Sequence, residues 1–322
     1  MKQQQRERLA ACGLAGIQFD ADMAAYCTLR AGGRAAALID VTNLEELSCL
    51  LNLLSEEQIK FFVIGRGSNL LVADSGWSGA VIRLKGVFNT VELLQASCLS
   101  EVKGSTETAI VKAGAGCPLG RFVAWCSKHG LAGLEFLVGI PGSVGGAVRM
   151  NAGAFGEEIG SRLLELEAVD RQGHLWQIPA ENLRLHYRSL SLVEGSLAEL
   201  IITAAVFRLV PEQEERIRNR CSACLEKRKG KQPAGAASAG SFFKNPPGDF
   251  AGRLIEAAGL KGLRCGGAMV SLVHANFLVN SGGASATDII TLMKQVQAAV
   301  AARFGIRLEP EVRIIDEAAA WR

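Results

Sequence analysis

Two glycine-rich runs hold the residue types best suited to gripping a phosphate. The first is Gly65-Arg66-Gly67-Ser68-Asn69-Leu70, and the second is Gly139-Ile140-Pro141-Gly142-Ser143-Val144-Gly145-Gly146, continuing to Asn151-Ala152-Gly153-Ala154-Phe155-Gly156. Glycine admits positive φ and lets backbone approach a ligand closely. Consecutive backbone N–H groups in such turns form a concave anion nest, and Ser68, Asn69 and Ser143 add short side-chain donors. Tight turns in a β-rich domain are the other reading of either run taken singly. Neither standard phosphate motif fits. A dinucleotide fingerprint needs a third glycine where Leu70 stands, Gly114-x-Gly116 has Gly120 one place late, and neither run carries the lysine of a P-loop.

Other reactive residue types are spread along the chain. Cys221-x-x-Cys224 is the only close pair among nine cysteines, and it lies in a charged, helix-periodic run without two further metal ligands nearby. The cysteines otherwise sit in apolar stretches such as Val123-Ala124-Trp125-Cys126, which reads as buried, reduced thiols. Metal binding is not expected.

The elements that must position these residues follow from periodicity. The 322 residues suit two domains, and a 49% hydrophobic, 21% charged composition supports a sizeable core. Residues 1–20 read as a helical lead-in. Ala35–Val41, Phe61–Gly65, Ala80–Leu84, Thr108–Ala113 and Leu163–Asp170 read as strands, with a hairpin at Arg171-Gln172-Gly173. Asn43–Ser55 is a predicted helix with Thr42 as cap and Glu45 at capping-box spacing; Pro118–Lys128 is another, with proline in its first turn. After Pro211 comes a basic helical run, Glu212–Lys231, and then a small-residue linker, Pro233–Gly240. A helix (Asp249–Ala258), a strand (His274–Asn280), a long helix (Ala286–Phe304, capped by Ser285 or Thr287) and a last strand (Glu311–Ile315) follow. The boundary falls near residue 210, with an α/β C-terminal domain beyond it.

Composition excludes several functions. Thirty-five basic against 32 acidic residues leave only +3, too even for a dedicated nucleic-acid or membrane-surface protein, and aromatics are 6%. The most apolar stretch, Leu131 to Met150, is broken by Glu135, Pro141 and glycines, so no bilayer span is expected. The start, MKQQQRERLA, lacks an apolar signal core, which points to the cytoplasm.

Seven segments in register carry a resemblance: Thr28-Leu29-Arg30-Ala31-Gly32-Gly33, the 65–71 run, Leu134–Gly156, Tyr187-Arg188-Ser189, Gly240-Ser241-Phe242-Phe243-Lys244-Asn245-Pro246, His274-Ala275-Asn276-Phe277 and Glu309-Pro310-Glu311-Val312-Arg313. Together, from about residue 24 to 316, the chain resembles the UDP-N-acetylenolpyruvoylglucosamine reductase (UDP-N-acetylmuramate dehydrogenase) family. The resemblance implies an α+β fold: a two-part FAD-binding domain of the vanillyl-alcohol-oxidase (PCMH) type with a C-terminal α/β substrate-binding domain. The implied limits are 1–23 for the lead-in, 24–210 for the FAD domain, 211–308 for the substrate domain, and 309–322 for a final strand returning to the FAD domain. The implied reaction is NADPH-dependent reduction of the enolpyruvyl ether of a UDP-sugar through bound FAD, giving UDP-N-acetylmuramate for peptidoglycan.

By matched motifs, Gly65, Arg66, Gly67, Ser68, Asn69 and Leu70, with Gly139, Pro141, Gly142, Ser143, Gly145 and Gly146, would line the cofactor. Ser241 would give the proton, Arg188 would meet the substrate carboxylate, and Glu311 would stabilise the enolic intermediate. Tyr187, Arg228, Lys231, Lys244, Asn245 and His274 would contact the substrate. No nucleic acid, membrane insertion or obligate protein partner is implied. Three departures stand out: Ala234-Gly235-Ala236-Ala237 replaces a bulkier segment, Ser271-Leu272-Val273 replaces a more polar one, and no tyrosine-bearing insertion follows Tyr187-Arg188, which resembles the shorter subclass. A nucleotide-sugar binding module without catalysis is the reading from another class; purified protein that is yellow and releases FAD speaks against it.

Overall fold

The computed structural model describes residues 1–97 and 108–317; the end of the expected 309–322 segment, from 318, lies outside the described residues. Among the described residues seven α-helices frame the fold: α1 (Gln3–Ala11), α2 (Leu44–Glu56), α3 (Leu119–Lys128), α4 (Val144–Arg149), α5 (Glu214–Arg228), α6 (Ala251–Ala257) and α7 (Ala286–Phe304). Two sheets and a smaller C-terminal sheet hold them together.

The first sheet has the order Gly16–Asp22, Arg34–Val41, Trp77–Leu84, Phe61–Ile64. Its last three strands run parallel, and Gly16–Asp22 is antiparallel to Arg34–Val41. Parallel strands covered on both faces read as continuous apolar runs, as in Ala35-Ala36-Ala37-Leu38-Ile39. Alternation then divides them: Ala37, Ile39 and Val41 enter the main core with α2, whereas Leu38 joins Met23, Phe62, Trp77 and Val81 on the other face. The second sheet is antiparallel, in the order Leu175–Pro179, Leu163–Val169, Ile201–Pro211, Thr108–Gly114, Val91–Ser97. Its Val111, Leu166 and Phe207 share the main core with Phe122 of α3. A separate core joins α6 and α7 to Cys27, Leu29, Ala31 and Leu71.

Several local expectations shift. The lead-in is helical only to Ala11; Gly16–Asp22 is a strand, because Ile17, Phe19 and Ala21 recur with period two. The cap of α2 is Asn43, which accepts from the Glu46 N–H at 2.8 Å, while Glu46, not Glu45, reaches back to the Thr42 N–H and hydroxyl. Ser285 caps α7 in a reciprocal box with Asp288. His274–Asn280 forms a strand only at Leu278–Asn280: the Asn276 side chain instead bonds the Phe243 N–H at 3.0 Å and carbonyl at 2.8 Å, taking the place of a ladder. The 233–240 linker is tied down, since Ala237–Ser238 pairs with Val279–Asn280. Among the described residues no helix is long and apolar enough to cross a membrane.

One carboxylate couples the C-terminal helix to the first sheet. Asp74 accepts from Ala286 N–H, Thr287 N–H and Thr287 Oγ1 at 2.8, 2.7 and 2.6 Å. Burial pushes its pKa up, but these hydrogen bonds outweigh burial and hold it below the usual carboxylate range. A carboxylate with a depressed folded pKa stabilises above its unfolded pKa of about 4 and loses that contribution as pH falls through the folded value. Asp74→Ala is therefore expected to cost about 1–2 kcal/mol at pH 7, and the difference from the parent, read by thermal melts, should shrink below about pH 4. A pH-independent difference would contradict the assignment.

Candidate active site

A cavity of about 1280 Å³ runs between the two glycine runs and the C-terminal domain. All twelve residues of the two runs named above for cofactor contact line it, together with Arg188, Ser241, Glu311, Arg228, Lys231 and His274. The site is assembled from segments far apart in sequence.

The first glycine loop joins strands Phe61–Ile64 and Leu70–Val72. The amide N–H groups of Gly65, Arg66, Gly67, Ser68 and Asn69 have no acceptor among the described residues. Gly67 is buried and Ser68 and Asn69 are half-buried, so their open amides are costly, and five such donors in succession along one cavity suit a diphosphate. The loop is nevertheless fixed: the Gly67 carbonyl accepts from Thr28 N–H at 3.1 Å, and the Asn69 carbonyl accepts from Arg313 N–H at 3.1 Å. The nest, the cavity's volume and its apolar walls at Ile140, Ile201 and Ile202 fit FAD.

The second loop divides its amides. Val144 N–H donates to Cys117 carbonyl at 2.9 Å, Gly145 N–H to Ala115 carbonyl at 2.8 Å, and Gly146 N–H to Ser143 Oγ at 3.4 Å. These three donors are spent on the protein, whereas the Gly139, Gly142 and Ser143 N–H groups, like those of residues 65–69, have no acceptor among the described residues. Packing accounts for one glycine of each loop: a Cβ on Gly145 would lie 2.7 Å from Ala115 Cβ, and one on Gly65 would lie 2.2 Å from Ser143 Oγ, where the two loops meet.

Arg188, Ser241 and Glu311 line the same cavity. Arg188, at a positive φ of 59°, places its guanidinium 3.1 Å from the Glu311 carboxylate. Burial pushes the Glu311 pKa up, against the pull of Arg188 and then Lys244. Asn69 Nδ2 donates to the Glu311 carbonyl at 3.0 Å, and Glu311 N–H donates to the Phe242 carbonyl at 2.8 Å. The first glycine loop, the Glu311 backbone and the Ser241-Phe242 segment are thus bonded to one another in series. Phe242 and Phe243 are fully buried and anchor that segment; the Ser241 hydroxyl has no hydrogen-bond partner among the described residues.

The basic end of α5 enters from the side. Arg220 pins the helix to Glu135 at 2.7 Å and to Glu212 at 2.5 Å, which delivers Lys227, Arg228 and Lys231 to the cavity. Arg228 donates to the Phe136 carbonyl at 3.2 Å, and burial lowers its pKa. His274 Nδ1 accepts from Asn276 N–H at 3.2 Å, and its pKa is lowered by burial and then by Lys261. With Nδ1 accepting that bond, Nε2 is the ring nitrogen left to donate.

Three of the substrate-side residues do not line the cavity. Lys244 pairs with Glu309 at 2.6 Å. Asn245 Oδ1 accepts from Ala251 N–H at the start of α6. Tyr187 packs on Arg188, 4.9 Å from guanidinium to ring centre, and its hydroxyl accepts from Asn245 N–H at 3.5 Å. Residues missed by sequence reasoning are Arg149, Phe155, Lys227 and Arg313, all in the lining. Arg313 lies in the Glu-Val-Arg segment and Phe155 in the second glycine run, but nothing in their spacing marked them. Burial, helped by Arg313, lowers Arg149 to about 10.

Gly67 shows what the loop demands. Its φ is +62°, and an added Cβ would meet the Tyr26 carbonyl oxygen at 1.9 Å. The first cost of a side chain is thus inside the protein, before any ligand is approached. Gly67→Ala should lower the melting temperature of the apoprotein as well as its FAD content. Loss of flavin with a parental apoprotein melt would show that the glycine answers only to the cofactor.

Known proteins share this architecture and sequence. A family model described as UDP-N-acetylenolpyruvoylglucosamine reductase, C-terminal domain, matches residues 232–315, and one described as FAD binding domain matches residues 35–178. A UDP-N-acetylenolpyruvoylglucosamine reductase from Alkalilimnicola ehrlichii is 45% identical over 296 residues, 92% of this chain and 93% of the relative. One from Syntrophus aciditrophicus is 41% identical over 312 residues, 97% and 96% of the two chains. The crystal structure of UDP-N-acetylenolpyruvylglucosamine reductase from Thermus caldophilus has a TM-score of 0.76 at 38% identity, covering 92% of this chain and 98% of that one. The α+β, two-domain FAD-binding fold expected from the sequence is the one found, and the protein is an FAD-containing oxidoreductase. Identity of this size over nearly the whole length of both chains settles its kinship: the chain belongs to the UDP-N-acetylenolpyruvoylglucosamine reductase family.

Proposed function

We propose that this chain is a cytoplasmic enzyme that reduces UDP-N-acetylglucosamine enolpyruvate to UDP-N-acetylmuramate for peptidoglycan, with NADPH as the electron source. The observation that carries the reading is the convergence of Arg188, Ser241 and Glu311, from three separate segments, on the cavity that holds the acceptor-free amides of residues 65–69. When bound, FAD supplies a two-electron carrier that accepts hydride from a nicotinamide and delivers it to carbon.

The residues of the chain do the rest. Addition of hydride to the terminal carbon of an enolpyruvyl group leaves negative charge on the neighbouring carbon and its carboxylate. The Arg188 guanidinium meets that carboxylate, and a charge-assisted pair of this kind is stronger in a buried site than in water. Glu311, held beside Arg188 at 3.1 Å, fixes the guanidinium and stabilises the enolic intermediate. Ser241 gives its hydroxyl proton to the carbon; surrounding cations, Arg188 and Lys231 among them, lower the cost of the alkoxide left behind. Arg228 and Lys231 hold the substrate's diphosphate, and His274 presents its Nε2–H to the sugar side of the cavity.

Two expectations separate these roles. Ser241→Ala should leave bleaching of the flavin by NADPH nearly intact and slow reoxidation by the substrate by roughly 100–10,000-fold, the range for a lost general acid, with Ser241→Cys retaining more activity. Stopped-flow absorbance follows both steps; reoxidation of the alanine variant at the parent rate would move the proton source elsewhere. Lys231→Ala should raise KM for the nucleotide sugar far more than it lowers kcat, because it removes binding shared by ground and transition states. The reverse pattern would place Lys231 at the reacting carbons.

A further inference from the structure

Phe155 stands where the local chain would not choose it. Strands Gly153–Ala154 and Glu157–Glu158 pair antiparallel, leaving Phe155-Gly156 as a two-residue hairpin loop with φ of 57° and 87°. Positive φ at both central positions is the type I′ pattern, which favours Asn, Asp or Gly; a bulky aromatic there is strained. The strain is held in place from below. Asn151, fully buried, donates from Nδ2 to the Glu158 carboxylate at 2.7 Å and to the His186 carbonyl at 3.1 Å, and its Oδ1 accepts from Gly160 N–H at 3.1 Å. A rigid hairpin thus presents an aromatic ring that is 47% exposed at the cavity wall. Strain that the surroundings enforce points to use of the side chain.

The ring also has company. Arg228 Cζ lies 5.1 Å and Lys227 Nζ 5.3 Å from its centre, both from the basic end of α5, and Lys231 lines the same cavity. An aromatic face flanked by cations is suited to a planar base joined to a diphosphate: the base stacks on the ring while the cations take the phosphates. The geometry points to Phe155 as the stacking platform for the pyrimidine base of the nucleoside-diphosphate sugar. This rests on the function proposed above and adds a specificity-determining residue to it. The occupant is the sugar nucleotide because Arg228, which holds its diphosphate in that proposal, is one of the two cations at the ring.

The test uses the FAD-loaded protein, with UDP and inorganic pyrophosphate as separate probes in calorimetry. Phe155→Asn relieves the turn and removes the ring, so its melting temperature should not fall below the parent's. Its Kd for UDP should rise roughly 5- to 100-fold, the span of base–aromatic stacking, with Kd for pyrophosphate unchanged. Phe155→Trp should keep UDP affinity and show indole fluorescence quenched by UDP. UDP binding to the asparagine variant as tight as to the parent would overturn the inference. So would equal weakening of UDP and pyrophosphate, which would make the ring a clamp on α5, or a rise in KM for NADPH as large as the rise in Kd for UDP, which would give the platform to the other nucleotide. Failure of the parent itself to bind UDP would overturn the proposed function and this inference together, so the two failures are distinguishable.

Discussion

Everything at the site hangs on the pairing of the last described strand, Arg313–Ile315, with Leu70–Val72, the strand that leaves the first glycine loop. Parallel pairing fixes register, and here it sets Arg313 beside Leu70. Two further bonds extend the pairing upstream, from Arg313 N–H to the Asn69 carbonyl and from Asn69 Nδ2 to the Glu311 carbonyl. A loop whose amides must stay open to an anion cannot be fixed by those amides. It is fixed instead by its carbonyls and by one side-chain amide, and the same bonds carry Glu311 to its place.

The electrostatics follow from that frame. Arg149, Arg228 and Arg313 are buried enough for their pKa values to be lowered, and Glu311 is the acid among the cavity's chemistry-bearing side chains, its own pKa raised by burial. Partly desolvated cations beside a hindered carboxylate are well matched to a ligand with a diphosphate and a carboxylate. Asp74 shows the opposite case: a carboxylate at the N-terminus of α7, stabilised in its charged form by hydrogen bonds to amides and a hydroxyl.

Local signals in the sequence carried much of this, and long-range ones did not. Glycine spacing marked both loops, and the residue types at 188, 241 and 311 stood out once seven segments were read together. Periodicity placed α2, α5 and α7 to within a few residues, since their caps and apolar faces are local properties. That Val144 and Gly145 spend their amides was hidden, because their acceptors, the Cys117 and Ala115 carbonyls, lie elsewhere in the chain. The strand at His274 failed for a like reason: Asn276 bonds the Phe243 backbone, a partner 33 residues away. Lys244 and Asn245 carried the right chemistry, but Glu309 and the start of α6 engage them.

Amide hydrogen exchange, compared between the apoprotein and the FAD-loaded protein, measures the central claim directly. The amides of Gly65 to Asn69 should exchange fast without FAD and become protected when it binds, and the 309–315 segment bonded to them should gain protection in the same transition. Equal protection of residues 65–69 in both states, or protection on FAD binding confined to the 139–146 loop, would contradict the account.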